Sequence, residues 1–459
     1  MPDHGEVQFV MRDLTQGKPL KLILQFALPI MLGNVFQLFY SLADTRIVGS
    51  YLGEQALAAV GVTSSLNNMI IGFLIGLTNG FAIITARGFG AKDEAHVRRA
   101  VSGTFVLGLA TSIVLTAASV FFLPGILRLL NTEEELMPLA VRYFRIILLG
   151  MTASMLYNVC AGLLRAIGDT VAPLVFLVIS ALLNVGLDLL FVRVFAFGVE
   201  GAAAATVLSQ TLAFAACFCY LWKRYPILHL HREECRLSKK TIKELYATGL
   251  SVGLMGCLVN IGSVALQGAI NGFGEHTIVA HTAARKITEL FMLPFSVFGT
   301  TMATYSGQNM GAEKYDRIKK GLTQTILLVW GWCLFVLIAA YTAAPWMVRA
   351  VTATKEADII ETASLYLRIN TPFYAVPTVI CLARNAMQGM GDSITPLISS
   401  GVELVGKVVI AVVFSGYFGY MAVIWSEPLI WILMVIPLII QLVRNPRLRG
   451  TAKGCYDRG

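Results

Sequence analysis

Residues 168–173 read GDTVAP, and residues 391–396 read GDSITP. Arg145-Ile146 and Arg368-Ile369, upstream of them, keep the same offset of 223. Farther out the spacing is 221: Gly53-Glu54 recurs as Gly274-Glu275, Gly90-Ala91 as Gly311-Ala312, Pro124 as Pro345, and Phe197-Gly198 as Phe418-Gly419. One small insertion or deletion accounts for both numbers. Turn glycines and prolines kept in register across two halves describe one unit, duplicated and laid beside itself. In each six-residue segment the proline falls at a helix start, where its missing N–H costs nothing.

The repeated unit is a membrane one. The chain is 56% hydrophobic and 14% charged, with a mean hydropathy of +0.70, against about 25% charged in a soluble domain. The apolar residues gather in runs near the ~20 residues that cross a bilayer. Twelve candidate spans follow: 20–47, 56–84, 100–123, 137–164, 170–193, 198–221, 243–270, 278–304, 321–344, 360–383, 393–415 and 418–443. The fold expected is an all-α polytopic membrane protein of two six-helix bundles. An even number of spans per half inserts both halves the same way up. The halves are then related by a pseudo-two-fold axis along the membrane normal, with a site between them that opens to each side in turn. The expected lobes are 1–221 and 243–459, joined by a cytoplasmic linker at 222–242. The polar first twenty residues lead into a full-length span, so no cleavable signal peptide is expected.

The net charge of +9 has a topological origin. Arg87, Lys92, Arg98 and Arg99 share one loop; Lys223, Arg224, Arg232, Arg236, Lys239, Lys240 and Lys243 another; Lys314, Arg317, Lys319 and Lys320 a third. The alternate loops are poor in base and include Glu133-Glu134-Glu135. By the positive-inside rule the basic loops and both termini are cytoplasmic, in a plasma (inner) membrane. Charge spaced by apolar spans does not read as nucleic-acid binding. The segments GAKDEAHVRR and GAEKYDRIKK each suggest a turn and a short basic surface helix.

Other chemistries find little support. There is no GxxxxGK[ST] loop, which excludes nucleotide hydrolysis by that route. The eight cysteines contain no CxxC pair and suit apolar packing. His229 and His231 lack further ligands for a metal. An enzyme would need a nucleophile–base set within the spans, and only His281 of the six histidines lies near one.

The polar groups inside the spans are the informative ones. A carboxylate there costs about 2.5–3.5 kcal/mol on insertion scales and is usually functional. Asn34, Gln37, Ser41 and Asp44 make one helical face of the first span, at steps of 3, 4 and 3. Ser180, Asn184 and Asp188 make another on the fifth. On the sixth, Thr206 shares a face with Ser209 or Gln210. At ~1.5 Å per residue, Asp44, Asp188 and Thr206 all fall in the outer half of the membrane. Two carboxylates, an amide and a hydroxyl at one depth make a proton or cation site, because two like charges in a poorly solvated place do not both ionise cheaply. The bland alternative pairs Asp44 with Arg46 and Asp188 with Arg193. Pro29 permits a kink in the helix that carries Asp44.

The second half differs. Ala265 matches Asp44, Lys407 matches Asn184, and Ala411 matches Asp188. Glu403 and Lys407 are four apart, as are Arg285 and Glu289, and both read as internal ion pairs. Glu289 keeps a secondary claim on a cationic substrate. Asn260, Ser263 and Gln267 give the seventh span an uncharged polar face suited to cavity lining.

These residues resemble a known family. Pro29 and Asp44 on the first helix, GEQALAAVG after it, RAIGDTVAP, NVGLD and GVEGAAAATVLSQ are similar to the MATE (multidrug and toxic compound extrusion) transporters over nearly the whole chain. An acidic N-terminal lobe resembles the branch named for a DNA-damage-inducible protein. The resemblance implies a secondary antiporter, without enzymatic activity or cofactor, exporting amphipathic and often cationic xenobiotics against H+ or Na+. It places the coupling ion at Asp44, Asn184, Asp188 and Thr206, and the bending helix at Pro29. A substrate cavity is expected among Asn34, Gln37, Ser41, Asn158, Ser180, Asn260, Gln267 and Glu289. The partners implied are small molecules and the lipid bilayer, and the expected state is a monomer. The alternative is a flippase for a lipid-linked oligosaccharide. It would need several cavity cations, for which only Lys407, Arg285 and Lys286 are available.

Overall fold

The computed structural model describes residues 12–129, 132–230, 234, 236–352 and 354–449. His231 and Arg232 of the linker lie outside them. Every regular element among the described residues is helical. α1 (Pro19–Gly90) contains the first two spans, divided at Gly53. α2 (Glu94–Leu129) is the third. α3 (Met137–Leu149) and α4 (Met151–Ala166) form one span bent by 42°. α5 (Val171–Asp188) runs into a π-helical turn, Leu189–Val194, and α6 (Gly198–Arg224) returns. α7 (Lys239–Ile270), α8 (Glu275–Gly311) and α9 (Tyr315–Thr352) follow. α10 (Ala357–Asn370) and α11 (Ala375–Met390) again share one interrupted span. α12 (Ile394–Val409) passes into a second π turn, Ile410–Phe414, the short α13 (Ser415–Phe418), and α14 (Tyr420–Arg444).

The duplication is written in the backbone. Gly53 and Gly274 have φ of 84° and 89°, Gly168 and Gly391 have 92° and 100°, and Gly198 and Gly419 have 65° and 58°. These are left-handed or related conformations that a side chain resists, which is why these turns keep glycine. Asp169 and Asp392 do the same work. Each Oδ1 accepts the backbone N–H two and three residues on, at 3.2 and 3.0 Å in the first case and 3.1 and 3.0 Å in the second. Each thereby caps the first turn of its helix. The π turns after α5 and α12 recur as well.

Among the described residues nine helices are long and apolar enough to cross a membrane, or ten with the bent α3–α4 pair. α8 and the broken α10–α11 pair complete the twelve. α8 carries buried Thr301, Ser306, Gln308 and Asn309, and α11 carries buried Arg384 and Gln388, so polar side chains turned inward lower their hydropathy. Large apolar side chains face outward, such as Phe121 at 78% and Val412 at 75% exposure. Hydrocarbon is the solvent that tolerates them.

One reading needs correction. The basic segments after Gly90 and Gly311 are not separate surface helices: they are the first turns of α2 and α9, entered through positive-φ residues Lys92 and Glu313. Asp93 Oδ1 accepts from the His96 N–H at 2.9 Å and caps α2 directly. Pro29 lies inside α1, whose non-helical residue is Gly53.

Contacts divide the chain into two compact units. One joins Met1–Leu14, in its described part, to Leu28–Gly253; the other joins Thr15–Ala27 to Leu254–Gly459. The division thus falls inside α1, just before Pro29, and inside α7. Within the first unit, an apolar core gathers Leu77, Phe81, Phe144 and Met155 with Leu245 of α7. α7 reaches this core because glycines face one another. A Cβ on Gly76 or Gly80 would stand 2.7 or 2.5 Å from the Cα of Gly253 or Gly249. This is the small-residue route to close helix contact in lipid, where burial from water supplies no drive. In the second unit the core joins Ala283, Ile287, Ala344, Tyr366 and Ile424.

Candidate functional site

In the first unit, α1, α3, α5 and α6 converge on one polar cluster. The Asp44 and Asp188 carboxyl groups stand close enough to act on each other directly, and two like charges so near favour a shared proton. Asp188 is fully buried, and Asp44 is half-buried. The network orients the Asn184 amide: its Nδ2 donates to Asp188 Oδ2 at 2.8 Å, and its Oδ1 accepts from the Thr206 N–H at 3.2 Å. Asp188 Oδ1 is buried with no conventional donor, so a proton or cation has an acceptor waiting. Neither Arg46 nor Arg193 pairs with these carboxylates among the described residues; Arg193 lies over the Tyr51 ring at 5.7 Å.

Two tyrosines that the sequence reading missed belong here. Tyr40 lines the same cavity wall as Thr206, and Tyr143 on α3 stands close enough to feel both aspartates. Tyr40 precedes Asp44 by one helical turn, a spacing that could have flagged it. Tyr143 carries a subtler signal, since Tyr366 occupies the matching position in the second half. A cavity of about 190 Å³ opens beside the cluster, lined by Tyr40, Ser41, Asp44, Asn67, Tyr143 and Thr206 among others. A smaller void of about 20 Å³ touches Gln37, Tyr40, Ser180 and Asn184. All the donors are hard oxygens and one amide, a set that suits a proton or Na+.

The remaining expected cavity residues divide. Ser41, Gln37 and Ser180 border these spaces, but Asn34 lines neither. Asn158 turns back on its own helix, donating to Ser154 O at 2.8 Å. Asn260 is exposed and lines none of the cavities described, whereas Gln267 and Glu289 line one in the second unit.

That second cavity, of about 270 Å³, is bordered by Gln267, His281, Arg285, Lys286, Glu289 and Glu427. Behind it runs a buried chain of charges. Arg384 Nη2 meets Glu403 Oε2 at 3.7 Å, and Glu403 Oε1 meets Lys407 Nζ at 3.0 Å. Lys407 Nζ meets Glu427 Oε1 at 3.7 Å, and Glu427 Oε1 meets Arg285 Nη1 at 3.2 Å. The expected Glu403–Lys407 pair is present. The expected Arg285–Glu289 pair is not found among the described residues. A buried carboxylate on α14 outcompetes an exposed one a turn away, because screening by solvent is weaker inside. Glu427 and Arg384 were missed by the sequence reading. Glu427 holds the position in the second half that Thr206 holds in the first, so the repeat offset points to it.

The MatE family model matches residues 29–190 and 251–413. The chain is 32% identical over 311 residues to the "Probable multidrug resistance protein YpnP" of Bacillus subtilis, covering 67% of this chain and 68% of that protein. It is 22% identical to the "Multidrug export protein MepA" of Staphylococcus aureus, covering 88% and 89%. A solved structure described as the "Outward-facing conformation of a multidrug resistance MATE family transporter of the MOP superfamily" superposes with a TM-score of 0.87 at 25% identity, covering 96% of this chain and 98% of that one.

Proposed function

The chain belongs to the MatE family of membrane transporters, and from that premise we propose that it is a multidrug efflux antiporter. It exports amphipathic, often cationic compounds in exchange for H+, with Na+ as the second possible coupling ion. The observation that carries this reading is the contact of Asp44 with Asp188, braced by Asn184 and Thr206, at the edge of a cavity. A proton shared by the two carboxyl groups leaves the pair with one negative charge instead of two. Its loss restores the second charge, which favours a cationic guest over an empty site. Ion and substrate therefore compete, and an ion arriving from outside expels the substrate there. Pro29 supplies the weak point: its missing N–H removes one helix hydrogen bond from α1, so the segment bearing Asp44 repacks when the charge changes. An acidic first lobe favours the branch named for a DNA-damage-inducible protein. The setting proposed is the inner membrane, with a monomer and cytoplasmic termini.

The flippase reading is weaker on this geometry. Lys407 and Arg384 are held by Glu427 and Glu403, which leaves Arg285 and Lys286 at the cavity wall beside Glu289 and Glu427, a poor setting for a pyrophosphate.

The experiment is dye efflux from proteoliposomes under imposed pH and Na+ gradients, applied separately. Efflux driven by the pH gradient alone supports proton exchange, and efflux driven by Na+ alone makes Na+ the coupling ion. Efflux indifferent to both would remove the antiport reading.

A further inference from the structure

A groove of about 650 Å³ in the second unit belongs to neither of the polar sites above. It lies between the start of α1 and the first turns of α9. Lys18, Leu20, Lys21 and Leu24 line it from α1, and Lys320 and Gln324 from α9. Leu20 and Leu24 are four apart, as are Lys320 and Gln324, so each helix turns one stripe toward the groove. The two walls are fastened together. Lys314 Nζ donates to Thr15 O at 2.9 Å, and Arg317 Nη1 donates to Gly17 O at 2.8 Å. Gly17, at a φ of 90°, then turns the chain into α1.

The lining is amphipathic and of one sign. Lys18, Lys21 and Lys320 are exposed, and none pairs with a carboxylate among the described residues. No acidic side chain lines the groove; Asp316, one turn before Lys320, is exposed outside it. Three cations over an apolar floor call for an anion that brings its own hydrocarbon. A free anion would leave Leu20 and Leu24 against water, whereas acyl chains cover them. On α9 the apolar track continues past Gln324, with Leu327 58% and Leu328 36% exposed. Gln324 adds a second signal. Its Oε1 is buried and accepts no hydrogen bond where it stands, so turning the amide into the groove forfeits no acceptor bond there. A hydroxyl donor in the groove would satisfy it.

We propose that this groove holds one anionic phospholipid with a hydroxyl-bearing headgroup, of the phosphatidylglycerol class. Its phosphate sits among Lys18, Lys21 and Lys320, a headgroup hydroxyl meets Gln324, and the chains follow Leu20, Leu24 and Leu327. Basic pockets between helix ends are where anionic headgroups bind. Charge that only orients a chain in the membrane needs a basic surface, with no apolar floor and no waiting acceptor. The lipid acts as a ligand of the folded protein, tying the first turns of α1 to α9, and it stabilises the fold by mass action. The inference goes beyond efflux and does not depend on it.

Native mass spectrometry of the full chain in detergent tests it, without substrate, coupling ion or gradient. The probes are phosphatidylglycerol, phosphatidic acid and phosphatidylcholine with identical acyl chains. The wild type should bind one phosphatidylglycerol about tenfold more tightly than phosphatidylcholine. The triple variant Lys18→Gln, Lys21→Gln, Lys320→Gln should bring that ratio to about one. Gln324→Leu should weaken phosphatidylglycerol about threefold and leave phosphatidic acid, which lacks the hydroxyls, unchanged. A control triple, Lys223→Gln, Lys239→Gln, Lys243→Gln, removes the same charge from exposed positions of the first unit and should keep the tenfold preference. Equal binding of the two lipids by the wild type would overturn the proposal, as would a preference that survives the groove triple. An equal loss in the control triple would reduce it to general surface attraction. Displacement of the lipid by millimolar inorganic phosphate would make the groove a free-anion site instead.

Discussion

Lys407 Nζ and Glu427 Oε1 form a buried ion pair at 3.7 Å, at the two positions that Asn184 and Thr206 hold in the first half of the chain. The repeat has kept the geometry of a cross-helix polar contact and exchanged neutral groups for charged ones. In the first half this pair of positions supports two aspartates. In the second it is part of a closed ionic chain, and the position equivalent to Asp188 is Ala411.

That chain predicts an asymmetry. Removing Glu427 leaves three buried or half-buried cations facing Glu403 alone, whereas removing Lys407 leaves Arg384 with Glu403 and Arg285 with Glu427. Glu427→Gln should destabilise by on the order of 3 kcal/mol, as expected when one partner of a buried pair is lost. Lys407→Met should cost about half as much. Thermal unfolding of detergent-purified variants measures both. A Lys407→Met protein less stable than Glu427→Gln would contradict the charge count.

The glycine contact between α1 and α7 gives a second expectation. Gly80→Ala places a Cβ 2.5 Å from Gly249 Cα and 2.8 Å from its N, both backbone atoms that cannot move aside. A loss of about 2 kcal/mol follows from overpacking. Gly61 has nothing within 4 Å of the added methyl, so Gly61→Ala should be neutral or slightly stabilising through helix propensity. If Gly80→Ala melted no lower than Gly61→Ala, helix propensity and not contact would be governing.

Asp169 holds a third. It is 3% exposed, caps α5, and accepts hydroxyl protons from Tyr220 at 3.2 Å and Tyr225 at 2.8 Å. Asp169→Ala should cost about 2 kcal/mol, combining a lost cap with two orphaned hydroxyls. Tyr225→Phe should cost about 1 kcal/mol. Both should retain dye efflux per folded molecule, measured after normalising to monodisperse protein; a selective loss of efflux would move this turn into the transport cycle.

The architecture was legible because its punctuation is chemical. Gly53, Gly168 and Gly198 sit where only glycine relaxes the backbone, and their second-half partners Gly274, Gly391 and Gly419 do the same. The N-terminal cluster was legible from depth and face, since a carboxylate inside an apolar span is conspicuous. Tyr40 and Tyr143 were not, because an aromatic in a span is ordinary packing until a hydroxyl is seen to face a carboxylate. Arg285 misled for a different reason. Local spacing favours a partner one turn away, but the buried partner Glu427 lies on the last helix, where only the repeat offset from Thr206 points to it.

The central claim is that substrate and proton compete at Asp44 and Asp188. Its most direct measurement is proton release on adding substrate to purified wild-type protein in a weakly buffered solution near neutral pH, with no gradient and no turnover. The account predicts release of about one proton per protein molecule, as two carboxyl groups sharing a site require, and none from Asp44→Asn at saturating substrate. Binding without proton release, or release undiminished in Asp44→Asn, would contradict it.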